Sequence, residues 1–214
     1  MRETRQPTYA TPRRTDGTLG QDSVHCSPLA LDTVFLFHGT GGNSRENWFP
    51  WLSTELRQRN FLPVVPDFPH PDQPVLAEWL DSFSRYADSV DERTIFVGHS
   101  LGGTFALRLL EQQQFPIRAC LLVASVWDIM GNAFDAIVQT FTRDPYHWET
   151  LRKRAGHFSV LHSENDPYIR LSQAEELARH LGVDVTLIRG GGHLNAQAGF
   201  TQFPLLLEQI TALR

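Results

Sequence analysis

From Thr33 onward, short apolar or β-branched runs alternate with stretches in which apolar residues recur at helical spacing. The strand-sized runs are 33–37, 62–66, 94–97, 119–126, 158–162 and 184–188. Between them the period predicts helices near 47–59, 75–89, 101–113, 145–154, 172–181 and 203–212. In the last but one, Ala174, Leu177, Ala178 and Leu181 share a face, and Ser172 with Glu175 has the spacing of a capping box. The runs are almost continuously apolar, as strands are when both faces of a sheet are covered. Strict strand–helix alternation therefore predicts an α/β protein with about six mainly parallel strands and helices on both faces. In such a sheet ligands bind beyond the carboxyl ends of the strands. Residues 1–31 show neither period and are rich in Arg, Thr, Pro and Gln, which predicts a polar, flexible extension before a single domain at 32–214.

Composition narrows the function classes. The 214 residues carry 19 basic and 24 acidic side chains, a formal charge of −5, and so offer no electrostatic footprint for nucleic acid. The longest apolar run, 119–127, is strand-sized, far short of the roughly 20 residues of a spanning helix, so no membrane role is expected. Two cysteines, Cys26 and Cys120, make no disulfide framework, and the N-terminus lacks the apolar segment of a secretory signal. The cytoplasm is the expected compartment.

The chemistry is concentrated after the predicted strands. Gly98-His99-Ser100-Leu101-Gly102 is a G-x-S-x-G sequence lying between a strand and a helix. A sharp turn there lifts the serine hydroxyl clear, and the flanking glycines remove side chains that would collide. A hydroxyl is a weak nucleophile and needs a base, itself oriented by a carboxylate. Both follow in the order Ser, acid, His: Ser163-Glu164-Asn165-Asp166-Pro167 after the fifth run, and Arg189-Gly190-Gly191-Gly192-His193 after the sixth. Asp166 is the expected orienter, ahead of Asp128 and Glu164, and His193 the expected base. The loop Phe37-His38-Gly39-Thr40-Gly41-Gly42-Asn43 is rich in amides, so the N–H groups of Leu101 and Thr40 are the candidate oxyanion donors. His38 is expected beside the site, as a loop tether and candidate substrate contact, and Trp127, which ends a strand, is the candidate pocket aromatic. The glycine loop lacks the lysine of a phosphate-binding loop, and no histidine pair has metal-ligand spacing, so no metal or cofactor is expected.

The runs HGTGGNSRENWFPWL, VVPDFPHPDQPVLAEWL, IFVGHSLGG, FTRDPYHWETL, ENDPYI and GGGHLN resemble the small α/β-hydrolase family of YdeN and retinoblastoma-binding protein 9. The likeness runs from about residue 33 to the C-terminus and implies an α/β-hydrolase fold, with Ser100, Asp166 and His193 as its triad. The L-x-C-x-E motif for retinoblastoma binding has no counterpart around either cysteine. The expectation is a serine hydrolase that cleaves small to medium carboxyl esters or related acyl substrates through an acyl-enzyme. The alternative is a catalytically silent interaction module of the same fold, and no particular protein partner is indicated. Residues 128–142 leave room for one short helix at the rim, with Phe134, Ile137, Val138 and Phe141 at helical spacing, and none for a large cap.

Overall fold

A computed structural model describes residues 31–214. The extension, apart from its last residue, and Cys26 lie outside the described residues. Six strands form one sheet: β1 (Asp32–Phe37), β2 (Phe61–Val64), β3 (Ile95–His99), β4 (Ile117–Val123), β5 (Ala155–His162) and β6 (Val185–Leu187). Their order is β2-β1-β3-β4-β5-β6, and every neighbouring pair is parallel. The helices are α1 (Phe49–Gln58), α2 (Leu76–Ser84), α3 (Leu101–Gln112), α4 (Asp135–Thr142), α5 (Trp148–Arg154), α6 (Leu171–Leu181) and α7 (Pro204–Thr211).

The period-2 alternation of side chains along each strand divides the core in two. In β1, Val34 and Leu36 join Trp48, Leu52 and Leu56 of the α1 side and Leu206 and Ile210 of α7. Phe35 and Phe37 point the other way, into the layer that holds Trp79, Phe83, Phe105, Leu151 and Leu177 from α2, α3, α5 and α6. Phe37 sits edge-on to Phe96 and Phe105 at 5.3 Å between centroids, a favoured aromatic geometry. Helix α3 is buried between sheet and outer helices through ten consecutive residues, Leu101 to Leu110. The sole charge among them, Arg108, is bonded to the carbonyls of Phe141 and Asp144 and to Glu111.

Three local expectations are corrected. The capping box at Ser172 does not form: α6 begins at Leu171, its N-cap is Arg170, and no side chain caps it. The turn set up by Asp166 and Pro167 ends two residues too early for Ser172 to occupy the cap. Strand β4 closes at Val123, because Ala124 takes φ +45° and turns Val126 and Trp127 off the sheet. The helix expected at 75–89 stops at Ser84 and continues only as a 3-10 turn, Ala87–Ser89.

Candidate active site

The sheet's carboxyl edge gathers four loops. At the end of β3, Ser100 adopts φ +54°, ψ −121°, in a region that favours glycine, and its amide donates to Val123 O at 2.9 Å. The strained turn exists because glycines surround it. A Cβ at Gly98 would collide with the backbone of Gly102 and Gly103, and one at Gly102 would run into the Phe37 carbonyl. A Cβ at Gly39 would sit 2.8 Å from Ser100 Cβ, so the β1 loop can pass over the hydroxyl only without a side chain there. Ser100 Oγ makes no hydrogen bond to a described residue, which leaves it open to the cavity.

His193 and Asp166 meet across two loops. His193 Nδ1 donates to Asp166 Oδ2 at 2.8 Å, with the Asp166 side chain fully buried and the imidazole nearly so. The other oxygen, Oδ1, accepts from the amides of Tyr168 and Ile169 at 2.9 and 3.1 Å. Burial pushes the Asp166 carboxyl up, but the hydrogen bond and charge of His193 and the two amides outweigh it and hold it below the ordinary aspartate value. The rivals are elsewhere: Asp128 is exposed, and Glu164 accepts from the Gly190 amide at 3.2 Å.

The sequence did not single out the framework around this pair. Three consecutive side chains of the acid loop grip the glycine loop before His193: Glu164 holds Gly190, Asn165 Oδ1 accepts from Gly192 N at 2.9 Å, and Ser163 Oγ donates to Gly192 O. His162 Nε2 donates to Ile169 O at 3.0 Å, fixing the far end of the turn. From the other side His99 Nε2 donates to His193 O at 2.9 Å, and the two rings lie 4.9 Å apart. Complete burial, then the neighbouring His193, push His99 down to about 3, so it stands neutral and donates from its Nε2–H tautomer. Ser163, Glu164 and Asn165 stand beside the aspartate in sequence, but that they face another loop is a tertiary fact.

Ser100, His99, His193 and the loop Gly39–Gly42 share a cavity of about 600 Å³. Thr40 is in its wall, and Leu101 opens α3, where the first N–H groups lack intrahelical acceptors. Among the described residues no hydrogen bond engages either amide. His38 and Trp127 do not line the cavity. His38 is buried beneath the loop, donating through Nδ1 to Gly39 O and accepting at Nε2 from Phe68 N at 3.1 Å, so it acts as the tether and not as a substrate contact. Burial lowers its pKa, in keeping with a neutral ring that both donates and accepts. Trp127 is turned into a cluster with Tyr146, Trp148 and His180, its indole N–H on Gln173 O, because the chain has already left the sheet at Ala124. No three His, Cys, Asp or Glu side chains converge on a metal-sized site among the described residues.

A parallel sheet with a serine elbow after its third strand defines an α/β-hydrolase fold. The serine hydrolase family profile matches residues 34–212, and the chain belongs to that family. YdeN of Bacillus subtilis is 29% identical over 181 residues, 84% of this chain and 94% of its own. The serine hydrolase RBBP9 of Rattus norvegicus is 27% identical over 157 residues, 73% and 82% of the two chains. The crystal structure of the B. subtilis ydeN product superposes with a TM-score of 0.81 at 28% identity, over 85% of this chain and 98% of that one. Est1E from Butyrivibrio proteoclasticus, at 14% identity and a TM-score of 0.65 over 87% and 88%, shares the fold.

Proposed function

We propose that the protein hydrolyses small to medium carboxyl esters or related acyl substrates, with Ser100 as nucleophile, His193 as base and Asp166 as its orienter. The observation that carries this reading is the 2.8 Å hydrogen bond between buried Asp166 and His193, whose ring lines the same cavity as a serine held at positive φ. Asp166 fixes the tautomer with its proton on Nδ1, leaving Nε2 to take the Ser100 proton as Oγ bonds to the carbonyl carbon. The oxyanion faces the amides of Leu101 and Thr40. On collapse the bond to the alcohol oxygen breaks and Nε2 returns its proton there. Water, deprotonated by the same nitrogen, then releases the acid and frees Ser100.

Net charge −5 supports a small-molecule substrate over nucleic acid, and no helix among the described residues is long and apolar enough to cross a membrane. A cytoplasmic setting belongs to the same reading, supported by Cys120, a buried free thiol. A fluorophosphonate probe tests the nucleophile: the intact protein gains one adduct and the Ser100→Ala protein none. An unlabelled intact protein, or equal labelling of the variant, overturns the assignment and leaves the silent interaction module in its place.

A further inference from the structure

The cavity has two unlike walls. On the β4–β5 side it is formed by Val126, Met130, Phe134, Val138, Tyr168 and Ile169. On the β1 side and beyond His193 it is formed by Arg45, Glu46, Asn47, Asn195, Gln197 and Thr201. Ser100 and His193 stand where the two meet. The apolar wall continues out to solvent: Phe134 is 38% and Tyr168 37% exposed, their rings in edge contact at 5.5 Å, and neighbouring Ile129 is 69% exposed. Tyr168 also lies edge-on to the His193 ring at 4.9 Å. Contiguous exposed apolar surface is costly, and here it leads directly to the reacting groups.

The wall is built, not a loose flap. Asp135, at the start of α4, accepts from the amides of Met130, Gly131 and Asn132 at 2.8, 2.8 and 3.1 Å. Asn132 Nδ2 donates to Tyr168 O, and Gln173 Nε2 to Ile129 O, stapling the 129–135 turn to the acid loop and to the first turn of α6. Helix α4 divides its own apolar residues: Phe141 packs on Trp79 in the core, while Val138 faces the cavity. On the polar wall, Asn47 and Asn195 carbonyl oxygens accept from the amides of Ala196 and Ala198, so that wall too is held in place.

From this juxtaposition we infer that the substrate is an amphiphile, its scissile carbonyl flanked by an apolar group on the Phe134–Tyr168 shelf and a hydrophilic group on the Arg45–Gln197 wall. The inference rests on the hydrolase reading above and deepens it. Phe134 and Tyr168 are then the specificity-determining residues of the apolar arm. Water excluded from the shelf rewards an apolar group, while the same group on the other wall would leave charged and amide side chains without solvent.

Four esters of equal length test it: apolar or polyhydroxylated acyl groups, each combined with an apolar or polyhydroxylated alcohol. At least one mixed ester should exceed both the all-apolar and the all-polar ester in kcat/KM by about tenfold. Phe134→Ser and Tyr168→Ser should each cut the hexanoyl-to-acetyl ratio of kcat/KM, or the corresponding hexyl-to-methyl alcohol ratio, by about tenfold, mainly through KM. Leu205→Ser, an equally exposed apolar residue outside the cavity, should not move it. If Ser100 labels and acetyl esters turn over, but all four esters react alike or the shelf variants keep their ratio, the two-armed site is refuted and the hydrolase reading stands. Absent labelling would instead remove the reading on which it rests.

Discussion

Replacing Asp166 with asparagine is the sharpest perturbation of the site, because the structure decides how the new side chain must lie. Oδ1 of Asp166 accepts from two backbone amides, Tyr168 and Ile169, while Oδ2 faces His193 Nδ1. An asparagine that turned its NH2 toward those amides would leave two donors unpaired, at about 1–3 kcal/mol each. Its carbonyl oxygen therefore takes the amides, and its NH2 is presented to Nδ1. Imidazole answers by putting its own proton on Nε2, where it can no longer accept from Ser100. The fold keeps every hydrogen bond but the chemistry loses its base. The same exchange in a well-studied serine triad costs about 10⁴ in kcat, equivalent to about 5.5 kcal/mol. Steady-state hydrolysis of p-nitrophenyl acetate gives the rate. Proton and nitrogen NMR of the His193 ring reports the tautomer, and a urea melt checks that stability falls by no more than about 2 kcal/mol. A variant that keeps kcat within about tenfold, or retains its proton on Nδ1, would refute the assignment of Asp166 as orienter.

Asn165→Ala and Ser163→Ala each release one side of Gly192 and should lower kcat about tenfold with little change in KM, since they loosen the base without touching substrate; kinetics on a short acyl ester decide it. Gly102→Ala drives a Cβ into the Phe37 carbonyl and should destabilise the protein by about 2–3 kcal/mol, read as a lower urea midpoint. His99, His38 and His162 are held neutral chiefly by burial, their pKa values below the unfolded 6.5. The unfolded chain then binds the extra protons, so stability is full above pH 6.5 and falls as acid is added, for His99 down to about pH 3. His99→Asn, which still donates to His193 O, should flatten that slope by up to about 1.4 kcal/mol per pH unit between about pH 6 and 5; parallel urea-melt curves for the two proteins would contradict the neutral buried ring.

What the sequence made legible is what local rules control. Strand runs and helix periods located six strands and every helix that packs on the sheet, because burial of one stripe or one face leaves a direct trace in residue order. Boundaries drifted where tertiary contacts overrode that trace. Nothing in the run 119–126 announces that Ala124 will take positive φ, since the partner its amide finds there, Leu161 O, belongs to a strand remote in sequence. Ser172 and Glu175 had the right spacing for a cap, yet capping depends on where the preceding turn releases the chain.

The site divides along the same line. Ser100, Asp166 and His193 could be picked out because each chemistry demands a particular residue type at a particular strand end. The cavity wall could not, since exposure of one apolar residue is ordinary and only neighbours in space make it informative. Trp127 shows the difference: the strand rule pointed it at the substrate, and a one-residue turn in the backbone sent it into the cluster with Trp148 and His180. Met130 and Tyr168 reach the cavity from two separate segments, joined by the Asn132–Tyr168 hydrogen bond that no spacing encodes. Reaction type is thus written in short motifs, whereas substrate preference is written in contacts between loops. That is why variants at Phe134 and Tyr168 probe what the serine, acid and histidine leave open.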